Sequence, residues 1–252
     1  QYDLHAGGID LVFPHHECEI AQMESLSGKP LVKYWVHPEH LMVDGKKMAK
    51  SEGNFFTLNE VLKKGFSPAA FRYLCISSHY KSQLNFTFDG LQAAENTVSG
   101  LLGFYQNIKE YKTGNESKEN KSSGELKELC ENTLEKFEEA LDDDLNTPQA
   151  LAVVFDLVKQ VNKAMQEKTL GKSGQKTAIK VIERIDEVLG LLHYAKTKSS
   201  QLTEKKIKEL IAQRETAKKE KNYSTADEIR NELKEKGVLL EDTADGVRFK
   251  LV

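Results

Sequence analysis

The feature that most constrains this 252-residue chain is a change of hydrophobic period near Thr57. Before it, short apolar runs (Leu11–Phe13, Tyr34–Val36, Leu41–Val43) stand among glycines, histidines and aromatic residues, Trp35 being the sole tryptophan. Runs of that length read as strands. Pro14 suits a first helical turn and predicts one helix through Ile20–Met23. After Thr57 the apolar residues recur at helical spacing. Thr57 and Glu60 make a capping-box pair ahead of Val61 and Leu62, Gly65 stops that helix, and Ser67–Pro68 opens the next, with Phe71, Leu74 and Cys75. Further amphipathic helices are expected over about 87–111, 125–142, 148–165 and 177–193. Between them lie Lys112–Glu125, which carries no apolar residue, the Asp142–Pro148 junction, and polar Lys168–Lys176. At the junction Asn146 or Thr147 caps and Pro148 opens the following helix. Beyond a third polar segment, Ala195–Thr203, the pattern gives two charged helices (about 204–221 and 224–236). Two alternating strands around Asp245–Gly246 then form a hairpin. The chain is therefore mainly α, with a broken α/β piece at 1–56, a helical bundle at 57–194 and a small α+β module at 204–252.

Composition narrows the function classes. A net charge of −3 and a pI near 6.2 exclude a globally basic nucleic-acid coat, while 36 Lys+Arg leave room for a local basic strip. No apolar run approaches the roughly 20 residues of a membrane span, so no membrane partner is expected. Three scattered cysteines (Cys18, Cys75, Cys130) make no disulfide framework, and a reducing, cytoplasmic setting is expected.

Three motifs carry chemistry. His15 and Glu19, four apart on the helix opened by Pro14, share a face and can offer two ligands to zinc, which needs four. The same spacing also serves a surface hydrogen bond. Gly7-Gly8-Ile9-Asp10 lets backbone approach a ligand, with a carboxylate placed to hold a ribose, or else forms an ordinary turn. Lys47-Met48-Ala49-Lys50-Ser51, flanked by Gly45 and Gly53, puts two ammonium groups three positions apart on a loop. They can neutralise charge on a departing pyrophosphate, or remain an exposed basic turn. The Asp142–Asp144 run reads as an acidic junction complementing the next helix N-terminus, with a magnesium site as the sharper alternative.

These residues converge on a family. The stretch His5–Gln22 (HAGGIDLVFPHHECEIAQ) resembles the signature of class I cysteinyl-tRNA synthetases, and Lys47–Ser51 resembles that class's KMSKS loop with Ala49 at the middle serine. His79–Phe86 (HYKSQLNF), Leu141–Pro148 (LDDDLNTP) and the terminal Ala226–Arg230 and Leu240–Thr243 follow in the family's order. The resemblance implies the C-terminal part of a Rossmann-like α/β catalytic domain, followed by a helical bundle and an anticodon-binding module. It implies a cysteine–tRNA ligase that uses ATP with magnesium, L-cysteine and tRNA(Cys), working as a monomer. His15 and Glu19 match two ligands of one zinc ion, the other two being cysteines upstream of Gln1. Lys47 and Lys50 match the catalytic lysines. Lys50, Gly7, Gly8 and Asp10 match groups around ATP. In the tail, Lys218 and Lys219 would take tRNA phosphates, and Asp227 and Asp242 base edges. The family's HIGH motif is not among these 252 residues. Two rivals remain: a zinc-dependent ligase joining cysteine to an amino sugar, and a non-catalytic tRNA-binding fragment.

Overall fold

A computed structural model describes residues 1–113, 119–192, 204–219, 222–235, 238–243 and 246–251. Strand β1 (Tyr2–Ala6) pairs in parallel with β2 (Val32–Val36), in register Tyr2↔Val32 to Ala6↔Val36, with α1 (Glu17–Ser27) as the crossover. Gly28 ends α1 at φ 66°, donating its N–H to Glu24 O, and the Glu24 carboxylate accepts the Leu31 N–H at 2.8 Å to aim the chain into β2. The expected strand at Leu11–Phe13 is absent. The Leu11 N–H closes back on Gly8 O at 2.9 Å, so Ile9–Leu11 wind into a tight turn, and only Phe13 is extended (φ −133°, ψ 132°), before a cis Phe13–Pro14 bond. β1 was not expected; Tyr2, Leu4 and Ala6 do alternate along one of its faces, but that face is exposed.

The second sheet has the order β4–β3–β5. β3 (Leu41–Val43) turns through Asp44–Gly45, both at positive φ (49° and 77°), into antiparallel β4 (Lys46–Lys47), as a two-residue hairpin requires. On its other side β3 pairs in parallel with β5 (Leu84–Phe86), three residues too short to show a period. Helices α2 (Leu58–Lys63) and α3 (Pro68–Ile76) begin where the caps place them. Thr57 and Glu60 complete the reciprocal capping box, and the Ser67 hydroxyl accepts the Ala70 N–H at 3.1 Å. Val43, Val61, Ala70, Leu74, Phe86, Leu91 and Ala94 form one buried core. Residues on both sides of the Phe56–Thr57 junction contribute to it.

Helix α4 (Phe88–Glu110), capped by Thr87, continues into the bundle with α5 (Glu119–Asp142), α6 (Thr147–Gln166) and α7 (Lys172–Leu189). Its core includes Leu101, Phe104, Ile108, Phe137, Leu157, Val161 and Ile185. Asn146 is the cap of α6, accepting the Gln149 N–H at 3.2 Å. Both α5 and α7 start earlier than their apolar period suggested. For α7 the reason is close approach: a Cβ on Gly174 would lie 2.6 Å from Leu126 Cδ2, so a polar first turn is held by packing against α5. Gln175 donates to Ile108 O (2.6 Å) and Tyr111 O (3.0 Å), and Arg72 donates to the Val188 and Leu189 carbonyls, tying α3 to the end of α7.

The last module has its own core of Ile207, Leu210, Ile229, Leu233 and Val238, built from α8 (Glu204–Lys219), α9 (Tyr223–Glu235) and an antiparallel hairpin. Its strands β6 (Val238–Thr243) and β7 (Gly246–Leu251) pair from Val238↔Leu251 to Thr243↔Gly246. Among the described residues no helix is long and apolar enough to cross a membrane.

Candidate active site and metal centre

The parallel β1–β2 pair brings four imidazoles and a carboxylate to one end of the sheet. β1 supplies His5, the wound segment before α1 supplies His15 and His16, α1 supplies Glu19, and the end of β2 leads to Trp35 and His37. The His16 ring is buried, with centroids 4.9 Å from His5, 4.9 Å from Trp35 and 5.0 Å from His37. Its Nδ1 shares a 2.8 Å hydrogen bond with His37 Nε2. Burial, then the neighbouring His37 and His5 imidazoles, hold the His16 pKa below its ordinary 6.5, against the opposing pull of Glu19. His16 is thereby kept neutral, the form that ligates metal.

Glu19 lies between two imidazoles, Oε1 3.4 Å from His15 Nε2 and Oε2 3.4 Å from His5 Nε2. Oε2 is sealed from solvent yet makes no hydrogen bond among the described residues. A sealed, unsatisfied carboxylate oxygen is costly unless something else satisfies it. Ligand atoms of His5, His16 and Glu19 lie within 4.8 Å of one another. Nitrogen and oxygen donors so gathered fit a zinc ion. The predicted pair, His15 and Glu19, meets across one helical turn, with His15 59% exposed. The sequence reading missed His5 and His16 here, because only the β1–β2 pairing brings His5 over α1.

Gly7 and Gly8 serve this geometry from behind. A Cβ on Gly7 would stand 2.8 Å from His16 Cε1, so this glycine is what lets the ring seat against the strand end. A Cβ on Gly8 would meet only the Asp10 carboxylate, at 2.5 Å. Asp10 itself is exposed at the start of the turn.

The lysine loop hangs from the β3–β4 hairpin and is stapled three ways. Met48 packs against the Val43–Phe86 core. The Asn54 side-chain amide bridges the loop, accepting the Ala49 N–H at 2.9 Å and donating to Lys47 O at 3.1 Å. Lys47 Nζ lies 3.4 Å from His40 Nε2, and Lys50 Nζ sits 5.3 Å from the Phe55 ring centroid. Both lysines are exposed, on the loop between Gly45 and Gly53. Nothing in the sequence pattern singled out Asn54, since an amide bridge has no period.

Elsewhere, the third residue of the acidic run has a definite partner set. Asp144 accepts from the Tyr80 hydroxyl at 2.6 Å and from Lys81 Nζ, and its carbonyl lies 3.1 Å from His79 Nε2. Those bonds to Lys81 and Tyr80 hold its carboxyl below its ordinary 3.8. Instead of acting only as a charge at the next helix N-terminus, the run joins two motifs of the sequence. In the tail, Lys218 closes the last turns of α8 with its Nζ 3.6 Å from Glu215, and Lys219 ends that helix. Asp227 is exposed on α9, whose first turn is capped instead by Asn222, and shares a face with exposed Arg230. Asp242 pairs with Val247 in the hairpin; the side chains of Asp242 and Lys219 lie outside the described residues.

Comparison with known proteins places these features. Residues 1–96 match the tRNA synthetases class I (C) catalytic domain, 136–193 the DALR domain and 203–249 the cysteinyl-tRNA ligase anticodon binding domain. Proteins named cysteine–tRNA ligase align over nearly the whole chain. That of Protochlamydia amoebophila is 42% identical over 98% of this chain and 50% of its own length, and that of Brachyspira hyodysenteriae 41% over 99% and 52%. The chain thus spans about half the length of the curated relatives it matches. Among solved structures, an Agrobacterium radiobacter LeuRS in ternary complex with tRNA and LeuAMS superposes with a TM-score of 0.58 at 17% identity, covering 75% of this chain and 27% of that one. At that identity the likeness speaks for the fold.

Proposed function

Because the chain belongs to the cysteinyl-tRNA synthetase family, we propose that it serves the ATP-dependent activation of L-cysteine and its ligation to tRNA(Cys), in the cytoplasm, as part of a monomeric enzyme. The carrying observation is the order of the three matches along one chain, catalytic, DALR and anticodon-binding. The third match favours a tRNA over an amino sugar as acceptor. In the first step a carboxylate oxygen of cysteine attacks the α-phosphorus of ATP, and the bond to pyrophosphate breaks. Lys47 and Lys50 neutralise the charge gathering on the departing pyrophosphate, with magnesium accompanying the nucleotide. Asn54 fixes the loop that carries them. Gly7, Gly8 and Asp10 face the nucleoside, Asp10 bonding the ribose. His15 and Glu19 hold zinc, with His5 and His16 as further imidazoles beside Glu19. Bound there, zinc supplies a soft Lewis-acid centre that a thiolate bonds well and a hydroxyl poorly, so serine is rejected at binding. In the tail, Lys218 and Lys219 take tRNA phosphates while Asp227 and Asp242 accept from unstacked anticodon bases.

Cysteine-dependent exchange of radiolabelled pyrophosphate into ATP, measured on the intact polypeptide carrying this sequence, tests the reading. Lys50→Ala should lower the exchange rate by about 10²-fold with the cysteine KM unchanged. Zinc content of His5→Ala, His15→Ala, His16→Ala and Glu19→Ala proteins reads which imidazoles join Glu19. Wild-type exchange in Lys50→Ala together with full zinc in Glu19→Ala would refute both assignments.

A further inference from the structure

We propose that Asp144 is a positioning residue for the lysine loop, acting through the segment His79–Phe86 as a strut; the inference rests on the functional reading above. Three observations carry it. First, the α5–α6 junction holds Asp144 and Leu145 in the left-handed region (φ 54° and 56°), which side chains other than glycine rarely adopt. Leu145 is 49% exposed, so its own burial does not account for the turn. What the turn achieves is to aim one carboxylate and one carbonyl at three consecutive residues, His79, Tyr80 and Lys81.

Second, that tripeptide is fixed on its other side to the catalytic part. Tyr80 O accepts the Glu39 N–H at 2.8 Å, in the connection between β2 and β3 that also carries His37 and His40. His37 is the partner of His16, and His40 lies beside Lys47. Third, the same segment runs on into β5, which pairs with β3 from Leu41↔Leu84 to Val43↔Phe86. There Asn85 Oδ1 accepts the Gly45 N–H at 2.9 Å, and Phe86 O accepts the Asp44 N–H at 3.2 Å. Asp44 and Gly45 are the turn from which β4 and the lysine loop depart. One short stretch of chain, a turn closed by the Ser82 N–H on His79 O and then β5, is thus clamped by Asp144 at one end and grips the root of the loop at the other. Both clamps are polar and directional, so they set position as well as adhesion.

A thermodynamic cycle on pyrophosphate exchange by the intact polypeptide separates positioning from mere stability. Asp144→Ala and Asn85→Ala should each lower kcat by about 10-fold, the order expected when catalytic groups shift by less than an ångström, with the cysteine KM within about twofold of wild type. Because both act through one strut, the double variant should be no more than about 10-fold down, rather than the roughly 100-fold of independent effects. Asp144→Asn, which keeps an acceptor for Tyr80, should recover part of the loss. Should Asp144→Ala not fold, Asp144→Asn and Lys81→Met replace it in the same cycle with Asn85→Ala. Multiplicative losses, or a lowered melting temperature with unchanged kcat, overturn the strut while leaving the cysteine-activation reading intact. Absence of exchange in the unsubstituted protein overturns that reading, and the strut with it.

Discussion

Gly7→Ala should destabilise the N-terminal unit by about 1–3 kcal/mol, the usual cost of overpacking a filled site. The added methyl carbon would stand 2.8 Å from both His16 Cε1 and Leu11 Cδ1, and 3.1 Å from His16 Nε2. Carbon contacts settle at about 3.5–4.0 Å, so the His16 ring would have to retreat by about 0.7–1.2 Å. It has nowhere to go: His5, Trp35 and His37 flank it at 4.9–5.0 Å, and its 2.8 Å bond to His37 would be broken by such a shift. Trp35 is the sole tryptophan, so its fluorescence reports on this ring cluster alone. Denaturant titrations of wild type and variant, followed at that signal, should show a lower midpoint with an unchanged slope. Gly8→Ala is the control. Its methyl would meet only the Asp10 carboxylate, a side chain free to swing aside, and the midpoint should barely move. A Gly7→Ala protein with the wild-type midpoint and slope would refute the claim that this glycine exists to seat His16.

Two further outcomes follow from charge and burial. Asp144 is held below its ordinary pKa of 3.8 in the folded protein, so the clasp contributes stability above that pH and loses it as pH falls through the lowered value. The melting-temperature gap between wild type and Asp144→Asn should therefore be open at about pH 6 and close towards about pH 2; a constant gap would show that the carboxylate's charge is irrelevant. Among the cysteines, Cys130 is fully buried in the bundle, and burial pushes its pKa to about 11, whereas Cys18 is exposed. Alkylation of the folded protein at neutral pH should label Cys18 and spare Cys130, and mass mapping that finds Cys130 labelled before unfolding would contradict the bundle packing.

What the sequence made legible was whatever leaves a local trace. The Thr57–Glu60 box and the Ser67 and Asn146 caps are chemical choices within a few residues, and each stands where it was expected. The Lys47–Lys50 loop and the His15–Glu19 pair were visible for the same reason. The parts that escaped depend on long-range closure. β5 is three residues long and acquires meaning only beside β3, about forty positions earlier. His5 joins Glu19 only because β1 lies parallel to β2, whereas His16 stands three residues before Glu19 on the same wound segment. Asn54 holds the loop through a side-chain amide, which no hydrophobic period can announce. The Leu11–Phe13 run misled because apolar character alone does not distinguish a strand from a wound turn.

Helix α4 carries a consequence of another kind. Its 23 residues span about 34 Å, and its buried side chains serve two cores in succession, Leu91 and Ala94 in one, Val98 through Ile108 in the next. The hand-over from Ala94 to Val98 takes little more than one helical turn. No hinge separates the two cores there, so an opening of either must either fray this turn or carry the other with it. Backbone amides from Glu95 to Leu101 should then exchange with solvent no faster than this turn frays or the two cores open together, so their protection reads which of the two the helix does.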